Sequence, residues 1–303
     1  MSHTLTQLRT ALDGISGILV TPFDSSDTLA PARLAPIVDR AVEAGVHVLV
    51  ANGNTSEFYG LTTQEAERMV YSAAEQVAGR VPLLAGVGRS LHDAIALAKA
   101  SRAAGATALM VHQPPDPFVA PRGVVQYVSR IAEAGDGLPL VLYLRDDGIG
   151  MDAIEALCDI PGVVGVKWAS ATPLRLAQAI ERTKSRNLAW VGGLAEHWAP
   201  SFYAVGSRGF TSGLINVLPE RSVAIHAALT SGDYSRAMTL IQSMAVFEAL
   251  RAEERNGTNV TVVKRALQLM GNDCGAVRAP GAWPLTAAAE ETLRKLMIEW
   301  GVI

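Results

Sequence analysis

The chain has 303 residues, 49% of them hydrophobic and only 18% charged, which supplies a large core and argues against disorder. A formal net charge of -3 gives no electrostatic footprint for nucleic acid or for an acidic membrane surface. Cys158 and Cys274 are far apart and lack metal-ligand spacing, so they read as two reduced thiols. The opening residues carry no basic stretch followed by a long apolar run, and no segment approaches membrane-spanning length. The expectation is a soluble, cytoplasmic protein.

Short apolar stretches at 17–21, 46–51, 83–87, 106–112, 138–144, 163–167, 189–192 and 209–212 read as strands. Longer amphipathic stretches at 31–44, 63–78, 91–104, 122–134, 151–158, 173–183, 196–205 and 219–230 read as helices between them. Eight strand–helix units in strict alternation predict a closed parallel (β/α)8 TIM barrel over residues 1–230. Gly45, Gly105 and Gly206 each stand between a helix and the next strand, where a tight connection calls for glycine. The rival is an open doubly wound sheet, which needs a glycine-rich phosphate loop after an early strand. The only candidate, Gly-Val-Gly-Arg-Ser-Leu at 86–91, has Leu91 where the fingerprint requires glycine. It reads instead as a turn, with Ser90 capping the next helix and Asp93 three residues on. Three further helical stretches, 234–254, 261–270 and 286–300, follow the eighth unit. They predict a C-terminal helical extension over 231–303, packed against the outside of the barrel.

In a parallel barrel the active site forms where the strands end, on the loops that lead into the helices. Lys167 stands at such an end, in Val-Val-Gly-Val-Lys-Trp after a Pro-Gly turn. The other lysines, Lys99, Lys184, Lys264 and Lys295, fall on helical stretches with polar faces. A lysine on a core strand either snorkels into solvent or loses its proton more readily and becomes a nucleophile. Tyr143 ends the neighbouring strand and is either a proton-carrying phenol or a core aromatic. Gly53, Asn54, Thr55 and Ser56 form a turn whose N–H groups and hydroxyls suit a carboxylate, although Thr55 also fits as a helix cap. Arg145 offers a guanidinium fork for a carboxylate, or else pairs with Asp147 in a solvated turn. Thr21, Gly193 and Ser212 mark the ends of strands one, seven and eight. His112 reads as a hydrogen-bonded wall residue and Glu57 as a loop brace. No His-Glu-x-x-His or paired histidine spacing occurs, so no metal site is expected.

Together, Thr21-Pro22-Phe23, the Gly53-x-Thr55-x-Glu57 loop, Tyr143 and Gly165-Val166-Lys167 resemble the dihydrodipicolinate synthase / N-acetylneuraminate lyase family of class I Schiff-base lyases. The resemblance covers nearly the whole chain. It implies an aldolase or dehydratase in which Lys167 forms an imine with a 2-oxo acid and Tyr143 relays protons. The Asn54–Thr55 turn then holds the acid's carboxylate, with Thr21, Gly53, Arg145, Gly193 and Ser212 around the substrate. The covalent lysine imine serves in place of a metal, flavin or nucleotide, and the implied assembly is a homotetramer.

The sequence also departs from the synthase pattern. Asn54 and Ser56 stand in the loop where that pattern reads Gly-Thr-Thr-Gly-Glu, and Pro114-Pro115 replace a tyrosine pair. Gly148 stands where the synthases carry an arginine for the aldehyde substrate's carboxylate. Tyr143-x-Arg145-Asp146 and Thr55-x-Glu57-Phe58 are similar to the 5-dehydro-4-deoxyglucarate dehydratase branch instead, although Leu144 and Trp168-Ala169 differ from its usual residues. The expected substrate is therefore a sugar-derived oxo acid such as 5-dehydro-4-deoxyglucarate. The alternatives are dihydrodipicolinate synthase itself and a non-catalytic barrel that binds an oxo acid.

Overall fold

The structure, a computed structural model, describes residues 4–303. Eight strands, β1 (Ile15–Ile18), β2 (Val48–Ala51), β3 (Leu83–Val87), β4 (Ala108–His112), β5 (Leu140–Leu144), β6 (Val163–Trp168), β7 (Ala189–Gly192) and β8 (Gly209–Ser212), pair in parallel in sequence order. β8 returns to β1 and closes the barrel. This is the expected TIM barrel. β1 starts and ends earlier than its apolar pattern indicates. Its early end has a long-range cause: the Val20 N–H donates to Asn216 Oδ1 (3.1 Å), so the chain has left the sheet where the hydrophobic run continues.

Helices α2 (Ala35–Glu43), α3 (Thr63–Val77), α4 (Leu91–Ala103), α5 (Pro121–Gly135), α6 (Met151–Cys158), α7 (Pro173–Arg182), α8 (Ala195–Ala204) and α9 (Pro219–Thr230) alternate with the strands. Ser90 caps α4 by accepting from the Asp93 N–H, as its spacing indicates. Gly45 and Gly105 adopt φ of +92° and +81°, a conformation that a side chain resists, and there the chain turns from helix into strand.

One helix escaped the sequence reading. α1 (Leu5–Leu12) is closed at its start by a capping box between Thr4 and Gln7. Leu8 and Leu12 join the inner cluster of the barrel with Val48, Leu84, Ala108 and Val164, so α1 plugs the N-terminal end. The Thr-x-x-Gln spacing and leucines one turn apart were the available signal.

Side chains alternate between this inner cluster and the outer layer under the helices. On β5, Val141 and Tyr143 face inward while Leu140, Leu142 and Leu144 face the helices. A register shift sets Val141 opposite Gly165 after Leu140 opposite Val163. That bulge leaves Val166 and Trp168 in the outer layer and turns Lys167, between them, inward.

The C-terminal segment forms α10 (Tyr234–Gln242), α11 (Ala245–Asn256), α12 (Asn259–Leu269) and α13 (Ala287–Glu299). α10 packs on α8 and α9, outside the wall as expected. α11 and α12 do not: Glu248, Arg251 and Asn259 line the same cavity as Lys167. α11 breaks at Glu253, and Glu254, Arg255 and Asn256 take left-handed φ values of 49°, 59° and 67°. The break separates α11 from α12, both of which border the mouth. None of the helices among the described residues is long and apolar enough to cross a membrane.

Candidate active site

The C-terminal ends of the strands open into a cavity of about 1090 Å³ lined by Lys167, Tyr143, Asn54, Thr55, Arg145 and Gly193 together with residues of α8, α11 and α12. Lys167 lies at its floor, 4% exposed, directly opposite Tyr143 in the sheet register. Its Nζ sits 3.8 Å from the centroid of the Tyr143 ring. Burial, reinforced by the Arg145 guanidinium, brings the ammonium pKa down to about 7. An appreciable fraction is therefore the neutral amine near neutral pH.

Tyr143 is also buried, and loss of solvent raises its phenol pKa to about 12. Its hydroxyl accepts a hydrogen bond from Asn54 Nδ2 (2.9 Å), which fixes the oxygen and leaves the phenolic proton to be donated elsewhere. His112 packs beside Tyr143 and stacks on Phe58. Its Nε2 lies 2.9 Å from the Asn52 carbonyl and so carries the hydrogen. Burial depresses the imidazole pKa to about 3, so His112 is a neutral wall residue.

The turn from Gly53 to Glu57 is braced from below. Ser56 Oγ accepts from the Gly53 N–H (3.0 Å) and donates to the Leu19 carbonyl (2.5 Å). Thr21 Oγ1 donates to the Ser56 carbonyl (2.6 Å). Thr21 is fully buried and absent from the cavity wall, so its expected place beside the substrate is corrected to a support under the loop. Gly53 is likewise a packing position: a Cβ there would meet Ile18 Cγ2 at 2.5 Å. Asn54 and Thr55 are the members of the turn that face the cavity.

Ser212 is corrected in the same way. Its hydroxyl lies 3.0 Å from Ser222 Oγ, which donates to the buried Glu196 (2.5 Å), outside the barrel. Thr211, one residue earlier, lines the cavity. Alternation from the outward Phe210 was the signal that distinguishes the two. Gly193 borders the cavity where a Cβ would meet the Trp168 carbonyl at 2.8 Å.

Arg145 reaches the rim on a loop held by Gln113, whose Oε1 accepts from the Arg145 and Asp146 N–H groups (2.7 and 2.8 Å). Asp147 does not pair with Arg145. It binds Arg175 instead, with Nε to Oδ2 at 2.5 Å. Asp146 Oδ1 accepts from the Gly148 N–H (2.8 Å) and so caps a turn. Tyr59, Glu248 and Arg251 also line the cavity, and the sequence reading named none of them.

Lys264 was expected on a polar helix face, yet its side chain is fully buried. Its Nζ pairs with Glu57 Oε1 at 2.6 Å and donates to the Ala276 carbonyl at 3.0 Å. Lys264 and Arg278 both lie against the Phe23 ring, at 4.4 and 4.1 Å. Glu57 Oε2 also accepts from the Arg278 N–H (2.9 Å), so this carboxylate ties the loop of the site to the C-terminal segment. Lys264→Met leaves Glu57 buried and unpaired and is expected to cost about 3–5 kcal/mol in urea denaturation. Adding Glu57→Gln removes the orphaned charge and should recover part of that loss. A single variant as stable as the wild type would show the pair to be dispensable.

No group of three or more His, Cys, Asp or Glu side chains among the described residues is placed to hold a metal ion. The family model of the dihydrodipicolinate synthetase family matches residues 11–299. A 4-hydroxy-tetrahydrodipicolinate synthase of Methanoculleus marisnigri is 31% identical over 297 residues, covering 95% of this chain and 99% of that protein. A probable 5-dehydro-4-deoxyglucarate dehydratase of Chelativorans sp. is 31% identical over 280 residues, covering 90% and 91%. The crystal structure of a dihydrodipicolinate synthase from Bacillus clausii superposes with a TM-score of 0.92 at 37% identity, covering 97% and 99%. The barrel, the cavity at its C-terminal mouth and these matches agree, and the chain belongs to the dihydrodipicolinate synthetase family, a family of lyases.

Proposed function

We propose that this lyase forms a Schiff base between Lys167 and a sugar-derived 2-oxo acid, with Tyr143 as the proton carrier. The observation that carries the reading is a buried lysine, its pKa lowered to about 7, against a buried phenol at the mouth of the barrel. Neutral Nζ attacks the keto carbon, and the carbinolamine hydroxyl leaves as water with a proton delivered by Tyr143. The resulting iminium withdraws electrons, so that a C–C or C–O bond one carbon removed breaks or forms. No metal or nucleotide enters this scheme.

Three features favour a longer, hydroxylated oxo acid such as 5-dehydro-4-deoxyglucarate over the pair pyruvate and aspartate semialdehyde. Gly148 supplies no cation for a semialdehyde carboxylate, and Pro114-Pro115 supply no hydroxyl to extend the relay. Arg145, which is exposed at the cavity rim and does not pair with Asp147, is available to a distal carboxylate. The synthase reading is supported by the name of the Methanoculleus relative at equal identity. Turnover of 5-dehydro-4-deoxyglucarate measured against condensation of pyruvate with aspartate semialdehyde separates the two. Efficient condensation, undiminished in Arg145→Ala, would return the chain to the synthase reaction.

A further inference from the structure

Gly213 follows β8 and lines the cavity beside Thr55. Its φ of -90° and ψ of -20° suit any residue, so the backbone does not require glycine here. The space does. A Cβ at Gly213 would stand 2.8 Å from Arg251 Nη2 and 3.3 Å from Thr55 Oγ1. The absent side chain is thus the gap through which a guanidinium from the C-terminal segment reaches the β2–β8 side of the mouth.

Arg251 is held in that position. Its side chain is 6% exposed, and Nη1 donates to Glu248 Oε1 (2.6 Å). Nη2 donates to Asn259 Oδ1 (3.0 Å), and Nε to the Asn259 carbonyl (3.4 Å). A guanidinium has five N–H groups, so one on each terminal nitrogen remains after these contacts. A strut between α11 and α12 needs the bonds to Asn259, but it does not need an empty position at Gly213 on the barrel.

We propose that Arg251 is a specificity-determining residue that, with Thr55, binds the carboxylate adjacent to the substrate's keto carbon. The assignment rests on the Schiff-base reading above. It also narrows the substrate class. β5 lies across the closed sheet from β1, whose neighbours β8 and β2 lead to the Gly213 and Thr55 positions beside Arg251. Arg145 and Arg251 therefore border the cavity from different sides of the barrel, with Lys167 in its lining. Two guanidinium groups in that arrangement match an acyclic 2-oxo acid with a carboxylate at each end.

The test is imine trapping by borohydride, followed by intact mass, with pyruvate and with its uncharged methyl ester. The wild type is expected to trap pyruvate at much lower concentration than the ester. Arg251→Gln should raise the half-saturating pyruvate concentration about tenfold or more, the scale of a lost hydrogen bond to a charged group. The limiting rate and the trapping of the ester should stay unchanged, and Arg251→Lys should fall between. Gly213→Ala keeps the charge but crowds Arg251 out of the gap, and it should reproduce the pyruvate defect in a folded protein.

Unchanged discrimination between acid and ester in Arg251→Gln would overturn the proposal while leaving the Schiff base intact. Equal loss of acid and ester trapping would overturn it too, because that pattern belongs to a structural strut. Wild-type protein that traps neither compound nor any other oxo acid would remove the imine reading and this assignment together.

Discussion

Lys167→Ala should abolish the borohydride-trapped mass adduct with every oxo acid that the wild type traps, and it should reduce turnover by roughly 10⁴-fold or more, the scale of deleting a covalent nucleophile. The wild-type adduct should map to Lys167. The rate of imine formation should climb as pH rises through about 7, where the buried amine loses its proton, and then level off. The same shift carries a stability signature. The folded-state pKa is about 7 against the usual 10.5, so between those values the unfolded chain binds more protons and stability rises with pH. The penalty for burying the amine is therefore full below about pH 7 and fades toward 10.5. Lys167→Met should accordingly melt above the wild type at pH 6, with the gain shrinking at pH 10. An adduct on another lysine would overturn the assignment, as would a Lys167→Ala protein that still forms one.

The barrel was legible because its signals are local. Alternating apolar strands, amphipathic helices and glycines at helix ends each act over a few residues, and the strand ends then follow from the fold. Lys167 stood out for the same reason, as a charge inside Val-Val-Gly-Val-Lys-Trp. Whether a residue at a strand end faces inward is harder to read. Thr211 and Ser212 are separated only by parity, and Thr21 lies beyond a strand that ends early because Asn216, distant in sequence, takes its Val20 N–H. The burial of Lys264 and the reach of Arg251 depend on helices that return over the mouth from the far end of the chain. No periodicity within α11 or α12 reports a partner such as Glu57, which lies on the loop after β2.

Tyr143→Phe removes one hydroxyl and little volume, so it separates chemistry from packing. The phenol accepts one hydrogen bond, from Asn54 Nδ2, and its loss should lower stability by no more than about 1–2 kcal/mol. The ring that faces Lys167 Nζ remains, so the amine keeps its apolar setting and the pH at which it titrates should change little. Turnover should nevertheless fall about 100-fold or more, the scale of losing a general acid. Trapping should still reach full occupancy, only more slowly, because the hydroxyl assists departure of water and does not form the bond to carbon. Asn54→Ala retains the phenol and removes the donor that fixes it, so its turnover should fall less than that of Tyr143→Phe. A folded Phe variant with undiminished turnover would make Tyr143 a packing residue and leave the proton transfers to another group, with Tyr59 as the remaining phenol on the cavity wall.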